Sequence, residues 1–213
     1  MKFIFPKSKI TKLLALISIL LDFLGPVFFS IFLYGLIRSL IADARYIPSG
    51  SMLPELEIND RLIIEKLSSR SRNPDRGDII VFNSPFSFDK ELIKRRKTKL
   101  PNSIQCFFYT LPPVNIIPGV SDPACDAYIK RVIALENELV EVNNQGDIFI
   151  GEKFIEENYV SNKCIDNEIK LNLCVGLKAI VPKDHVFVLG DNRSNSWDGR
   201  YWPGGHFLHK NQI

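Results

Sequence analysis

The amino-acid sequence predicts a mainly β protein, in which an antiparallel β-sheet domain follows an N-terminal transmembrane helix. Between Leu13 and Ile37 every side chain except Asp22 is apolar, small or uncharged. After Arg45 the pattern changes to short apolar bursts separated by turn residues, which is typical of antiparallel sheets. The 213 residues are 46% hydrophobic and 24% charged, a balance that excludes a disordered chain or a coiled coil.

The apolar run is long enough to cross a bilayer, because its 25 positions exceed the roughly 20 residues that a spanning helix needs. We assign residues 1–12 to a short cytoplasmic N-terminus and residues 13–41 to a transmembrane anchor. A cleaved secretory signal is the alternative, since Ala42-Asp43-Ala44 resembles a cleavage site, but the apolar core of such signals spans only about 7–15 residues. Four lysines precede the run, which predicts a cytoplasmic N-terminus and an exported domain.

Residues 45–213 are predicted to form the exported β domain. The candidate strands are Arg61–Glu65, Asp78–Phe82, Tyr128–Leu135, Leu139–Val142, Ile148–Ile150, Ala179–Val181 and His185–Leu189. Two stretches, at about 83–127 and 156–176, fit the strand pattern poorly and are interpreted as insertions. Together they contain all four cysteines of the chain.

Those cysteines are expected to face an oxidising compartment, where disulfides persist. Four cysteines allow three pairings, of which Cys106 with Cys125 and Cys164 with Cys174 is the simplest, and the sequence does not choose between them. No closely spaced cysteine pair indicates a metal, so neither a metal nor a cofactor is expected. The net charge of +3 is too small to suggest nucleic acid. The basic segment 94–99 is interpreted as a solvated loop, with contact to anionic lipid headgroups as the alternative.

A serine nucleophile and a lysine base are the candidate catalytic pair. Ser51 lies in the run IPSGSMLP (47–54), where two prolines and a glycine favour a rigid loop. The chain has three histidines, all near its C-terminus, and no G-x-S-x-G elbow, so the base is sought among lysines. Strand alternation puts Tyr128, Lys130, Val132 and Ala134 on one face. Burial there would lower the pKa of Lys130, whereas at a sheet edge its amine would reach water.

A dense polar loop at residues 190–202 follows the last candidate strand. In this loop Asp198 and Arg200 are able to form a charge-assisted pair, and Ser196 is able to hydrogen-bond a buried amine. For most of the loop a well-bonded turn explains the composition equally well.

Four blocks make the chain resemble the bacterial type I signal peptidases. They are IPSGSMLP (47–54), RGDIIVF (76–82), YIKRVIAL (128–135) and GDNRSNSWDGRYW (190–202). The resemblance implies that Ser51 is the nucleophile and that Lys130 is the general base. It also implies that the Ser49 hydroxyl joins the Ser51 backbone N–H in an oxyanion hole, that Ser196 orients the lysine, and that Asp198 and Arg200 form a supporting ion pair.

The same resemblance implies a membrane-anchored serine endopeptidase with a β catalytic domain of signal-peptidase type, located in the bacterial cytoplasmic membrane. Its partners would be signal-peptide-bearing preproteins and membrane lipids, without cofactor, metal or nucleic acid. Shallow substrate pockets would be lined by Ile47, Pro48, Leu56, Tyr128 and Ile129. The alternatives are a specialised maturation peptidase of the conjugative-pilin type and a non-catalytic, membrane-tethered β module that binds exported peptides. One departure from the family pattern is Gly199, where a serine is usual.

Overall fold

The computed structural model describes residues 7–67, 72–111, 114, 117, 120, 122–143, 145–160 and 176–213. The chain forms two compact units. One comprises Met1–Arg45 with Ile63–Arg70, and the other comprises Tyr46–Leu62 with Ser71–Ile213.

The N-terminal unit is dominated by the expected apolar helix, α1 (Lys7–Leu40). Its segment Ser18–Leu40 is long and apolar enough to cross a membrane by length and composition. Strand β1 (Ala42–Tyr46) follows directly and pairs with β2 (Arg61–Glu65) in a two-stranded sheet. The buried Asp43 carboxylate accepts hydrogen bonds from Arg38 Nε at 3.1 Å and Arg45 Nε at 2.9 Å, which ties the end of α1 to β1.

Two four-stranded antiparallel sheets build the larger unit, so the predicted fold class is confirmed. The strands are β3 (Ile79–Asn83), β4 (Ala127–Ala134), β5 (Leu139–Val142), β6 (Ile148–Ile150), β7 (Lys153–Ile155), β8 (Leu177–Ile180), β9 (His185–Leu189) and β10 (Leu208–His209). Their order is β10-β9-β4-β3 in one sheet and β7-β6-β5-β8 in the other.

Most predicted strands coincide with observed ones. Strands β2, β5, β6 and β9 have the predicted bounds, and β3, β4 and β8 differ by one or two residues. Strands β1, β7 and β10 were not predicted. The sequences of these three strands, ADARY, KFI and LH, contain two, two and one apolar residues, too few to indicate a strand without their pairing partners.

Strand β4 contributes to both hydrophobic cores of this unit. Ile133 and Ala134 pack in the core that also contains Val140 and Phe187. Val132 belongs to the other core, against which Tyr128 packs. The pairing of β4 with β9 shifts register between Val132 and Ala134, which changes the face that the following residue presents. The prediction that Ala134 shares a face with Tyr128, Lys130 and Val132 is therefore wrong.

Short helices occupy the predicted insertion at 83–127. They are α2 (Pro85–Phe88), α3 (Lys90–Arg95) and α4 (Ser103–Tyr109). A disulfide joins Cys106 in α4 to Cys125, in agreement with the simplest of the pairings left open by the sequence. Cys164 and Cys174, with most of the second predicted insertion, lie outside the described residues.

Candidate active site

Ser51 lies in a single 3₁₀ turn, Gly50–Met52, which follows directly on Ser49. Asn192 in the loop after β9 holds this turn from two sides. Its side-chain Nδ2 donates to Gly50 O at 2.9 Å, and its backbone N–H donates to Ser51 O at 3.1 Å. Met52 is buried to 1% exposure, which anchors the far end of the turn. The Ser51 side chain therefore stands on a backbone fixed by hydrogen bonds and packing.

Lys130 lies in the middle of a sheet, because β4 is flanked by β3 and β9. The side chain is only 3% exposed, so the alternative of an edge lysine reaching water is excluded. Its Nζ donates to Ser51 Oγ at 2.9 Å and to Ile129 O at 2.8 Å. The structure thus brings the predicted nucleophile and the predicted base into direct contact.

Burial lowers the pKa of Lys130 from its ordinary value of 10.5 to about 8. The negative charges of Asp198 and Asp191 oppose this effect, while the positive charge of Arg200 adds to it. An amine with this pKa is partly neutral near physiological pH, and a neutral amine is able to accept the proton of a hydroxyl 2.9 Å away.

Asp198 and Arg200 form the predicted ion pair, fully inside the protein. Arg200 Nε donates to Asp198 Oδ1 at 2.8 Å and Nη2 donates to Oδ2 at 2.9 Å. Burial disfavours ionisation of Asp198, but Arg200 and the Gly190 backbone N–H outweigh it and keep the pKa of this carboxyl below its ordinary value. The pair stabilises the loop that carries Asn192 and Ser196.

Ser196 is buried at 3% exposure, and its hydroxyl helps to lower the pKa of Asp198. Within the described residues, however, Ser196 Oγ makes no hydrogen bond of acceptable geometry, to Lys130 or to any other group. Its orienting role stays a prediction. Gly190 lies beside it, where an added Cβ would collide with Ser196 Oγ and approach Ser51 O to 2.5 Å.

The absence of a side chain at Gly199 also has a steric explanation. A Cβ at this position would lie 2.5 Å from His206 O and 3.1 Å from the Phe187 ring. A residue with a side chain would not fit here without a shift of the backbone.

The sequence did not reveal the buried charges that surround the dyad. Arg131 binds Asp191 in a bidentate ion pair, with Nε–Oδ1 at 2.9 Å and Nη2–Oδ2 at 2.6 Å. Arg193 binds Glu157 through two contacts at 2.7 and 2.6 Å, and Tyr159 donates to the same carboxylate at 2.6 Å. The sequence did contain a signal for the Arg131–Asp191 pair. Arg131 falls in a predicted strand of mostly apolar residues, and a buried guanidinium requires a carboxylate partner.

The other predicted site residues differ in exposure. Ser49 is exposed and extended, with φ −137°, and directly precedes the turn. Of the predicted pocket residues, Ile47 is buried, Pro48 is exposed, and Leu56, Tyr128 and Ile129 are half-buried. The Tyr128 ring packs 6.0 Å from that of Trp197, an aromatic neighbour that was not predicted. Among the described residues no group of three or more His, Cys, Asp or Glu side chains could hold a metal ion.

A serine hydroxyl 2.9 Å from the amine of a buried lysine is the arrangement that a serine nucleophile with a lysine base would require. The chain matches the family model of signal peptidase, peptidase S26, over residues 20–213, and it belongs to this family.

Curated relatives agree with this assignment. The chain is 38% identical over 166 residues to probable signal peptidase I-2 of Synechocystis sp., covering 78% of this chain and 58% of that one. It is 39% identical over 166 residues to signal peptidase I of Leptolyngbya laminosa, covering 78% and 63%. Identity to probable thylakoidal processing peptidase 2 of Arabidopsis thaliana is 33% over 167 residues, covering 78% and 35%. The chain thus spans about three fifths of the length of the first two relatives.

A solved structure of a signal peptidase I from Enterococcus faecalis V583 is also similar. It is 22% identical, with a TM-score of 0.40, and the match covers 67% of this chain and 94% of that one.

Proposed function

We propose that the chain is a membrane-anchored serine endopeptidase that removes N-terminal signal peptides from exported preproteins. The observation that carries this proposal is the 2.9 Å contact between Lys130 Nζ and Ser51 Oγ, made by a lysine that is 3% exposed. Membership of the signal peptidase family supports the same reaction.

In this mechanism Ser51 Oγ attacks the scissile carbonyl while the neutral Lys130 amine takes the hydroxyl proton. The resulting ammonium then protonates the departing amine, which leaves an acyl-enzyme on Ser51. Lys130 next takes a proton from a water molecule that attacks the ester, and it returns this proton to Ser51 Oγ as the ester bond breaks, which releases the carboxylic acid product and restores the neutral amine. The hydrogen bond from Lys130 to Ile129 O keeps the amine in place through both halves of the reaction.

The negative charge on the tetrahedral intermediate would be stabilised by the Ser51 backbone N–H and the Ser49 hydroxyl. Ser196, with the Asp198–Arg200 pair, would support the lysine side of the dyad. The cleaved peptide would lie against Ile47, Pro48, Leu56, Tyr128 and Ile129. The Ile47 backbone is held on both sides, since its N–H donates to Asp60 O at 2.9 Å and its carbonyl accepts from Asn59 N at 2.8 Å.

The location that we propose is the bacterial cytoplasmic membrane, with a single span, a cytoplasmic N-terminus and the β domain on the exported side. The four lysines before the apolar run support this orientation. Tethering enzyme and membrane-bound preprotein to one surface raises their effective concentration. Lipids around α1 and signal-peptide-bearing preproteins would be the partners.

The test is cleavage of a preprotein by the detergent-solubilised full chain. Ser51→Ala and Lys130→Ala should each lower kcat/KM by more than about a thousandfold, because each removes half of a dyad that acts as a unit. Lys183→Ala is the matched control, since this lysine is exposed in the turn before β9, and it should cut as the parent chain does.

Three outcomes would contradict the proposal. Full activity of Lys130→Ala would eliminate the lysine base. A parent chain that binds preproteins without cutting them would indicate a tethered peptide-binding module instead. Cleavage of a conjugative pilin precursor, with no cleavage of ordinary preproteins, would indicate a maturation peptidase.

A further inference from the structure

We propose that Glu157 and Tyr159 are positioning residues, which together hold the turn around Ser51 and the strand of Lys130 at contact distance. Both lie in residues 157–160, a short segment after β7 of the second sheet that is named the clamp turn below. They act through two buried arginines rather than on the reacting groups themselves. The inference rests on the proposed function, because it concerns the same serine and lysine.

The clamp turn is held together by its own hydrogen bonds. Val160 N–H donates to Glu157 O at 3.1 Å, which closes the backbone into a turn. The Tyr159 hydroxyl donates to Glu157 Oε1 at 2.6 Å. Burial and the adjacent Glu157 raise the pKa of Tyr159, so this hydroxyl keeps the proton with which it donates. The two side chains therefore form one unit.

Glu157 reaches the turn around Ser51 through Arg193. Its carboxylate, with 4% side-chain exposure, binds the Arg193 guanidinium, with 1%, through contacts at 2.7 and 2.6 Å. Arg193 Nε in turn donates to Gly190 O at 3.0 Å, while Gly190 N–H donates to Asp198 Oδ2 at 3.0 Å. Gly190 lies so close to the nucleophile that a Cβ on it would approach Ser51 O to 2.5 Å. Glu157 thus fixes the guanidinium that holds this glycine in place.

Tyr159 reaches the strand of Lys130 through Arg131. The Arg131 guanidinium lies over the Tyr159 ring, 4.0 Å from its centroid, which is within the range of cation–π attraction. Arg131 directly follows Lys130 in β4, and its Nη1 also donates to Gly77 O at 2.9 Å. Successive side chains of a strand point to opposite faces, so Tyr159 supports β4 through the residue that points away from the dyad.

A single turn therefore supports both halves of the dyad. Ser51 and Lys130 are 79 residues apart in the chain, so their contact depends on how the elements that carry them are packed. A displacement of about 1 Å between reacting groups lowers a catalysed rate by about a hundredfold. Neither clamp residue is among the proposed pocket residues. Loss of the clamp should accordingly lower kcat and leave KM nearly unchanged.

The experiment compares preprotein cleavage by detergent-solubilised full-length variants, at a temperature where each is folded by circular dichroism. Glu157→Gln should lower kcat by about thirtyfold, and Glu157→Asp, which keeps the charge, should recover part of this loss. Tyr159→Phe should lower kcat by about fivefold, since it removes one hydrogen bond and keeps both the ring and the ion pairs. KM should change by less than about twofold in all three.

The pH profile separates positioning from an effect on the charge of Lys130. The groups that shift its pKa besides burial are Asp198, Asp191 and Arg200, and all three remain in these variants. The acidic limb of kcat/KM should therefore keep its midpoint at about pH 8. Two control variants should cleave as the parent chain does. They are Glu152→Gln, exposed between β6 and β7, and Tyr109→Phe at the end of α4.

The inference is overturned if the clamp variants unfold more easily but keep the parent kcat, because the clamp would then serve stability alone. It is also overturned if the loss appears in KM or if the midpoint of the pH profile moves. Should Glu157→Gln fail to fold, Tyr159→Phe decides the question by the same readouts. A parent chain that cleaves no preprotein overturns the proposed function and the inference with it, whereas an active parent with unchanged clamp variants overturns the inference alone.

Discussion

In the mechanism proposed above, Lys130 has to meet two opposing requirements at a single residue. A general base must be unprotonated near the working pH, and burial achieves this by penalising the ammonium. Burial without hydrogen bonds would be costly, and Ser51 Oγ and Ile129 O provide them. The second of these partners comes from the residue before the lysine, so the strand that buries the amine also positions it.

The pH dependence of cleavage should report on this residue. The folded chain holds the pKa of Lys130 at about 8, and the reactive form is the one without the proton. kcat/KM should therefore rise with pH up to about 8 and fall about tenfold per pH unit well below that value. A series of preprotein cleavage rates between pH 5 and 9 measures it. A flat profile on the acidic side would be incompatible with a lysine base.

At the scale of elements, the loop after β9 and the turn around Ser51 behave as one assembly. Asn192 donates hydrogen bonds to the carbonyls of Gly50 and Ser51. Gly190 has no side chain and therefore leaves room for the Ser51 carbonyl. The two ion pairs Asp198–Arg200 and Arg193–Glu157 hold the loop in shape. The turn around Ser51 is thus positioned by a loop about 140 residues further along the chain.

Gly190→Ala should damage this assembly with little effect on the fold elsewhere. The new Cβ would approach Ser51 O to 2.5 Å, so the turn has to move. A displacement of the nucleophile of this kind lowers kcat by about a hundredfold. Gly35→Ala is the control, since no atom lies within 4 Å of its Cβ position. Equal kcat values for the two variants would show that the close contact has no importance for positioning Ser51.

The Arg131–Asp191 pair should stabilise the junction between β4 and this loop. Asp191→Asn leaves a guanidinium with 10% side-chain exposure without its counter-charge, and should lower the free energy of unfolding by about 3–5 kcal/mol. The surface pair Lys178–Glu141 is the comparison, and Glu141→Gln should cost less than about 1 kcal/mol. Denaturant titration of both variants in detergent measures the difference. Similar losses in both would mean that burial of the Arg131 pair has no energetic significance.

How far the sequence predicts each element depends on the range of the interactions that form it. Alternation and turn residues are local, and they located β2, β5, β6 and β9 at their observed bounds. The register shift in β4 depends on its pairing with β9, which a one-dimensional pattern does not contain. The pairing of Ser51 with Lys130 was predicted from motifs. Glu157, Asp191 and Arg193 were missed as part of the site, because their contacts also join segments that are distant in sequence. Their partners lie 36 to 60 residues away.

At the scale of the whole molecule, the larger unit combines two antiparallel sheets with a helical segment between β3 and β4. The segment contains little apolar core of its own, since of its three helices only Pro85 in α2 is buried. The Cys106–Cys125 disulfide and the Arg96–Asp122 ion pair hold its second half, while Phe86 and Phe88 pack its first helix on Trp197 and Trp202.

Replacing both Cys106 and Cys125 by serine should loosen this segment and spare the sheets. The link closes a loop with a sequence separation of 19, and its removal should cost about 3 kcal/mol on the chain-entropy account. Hydrogen exchange should accelerate in residues 103–109, while β4 and β9 keep their protection and a peptide substrate is cut at the parent rate. Faster exchange throughout β4 would show that the segment supports the catalytic sheet.

The register shift in β4 has a further consequence for how the protein loses activity. One strand supplies side chains to both cores, and the same strand carries Lys130. Because both cores pack on β4, we expect the opening of either core to displace this strand and to separate Lys130 Nζ from the Ser51 hydroxyl. If the proposed function holds, cleavage of a preprotein should therefore be lost at the first step of unfolding, before the two sheets have fully separated.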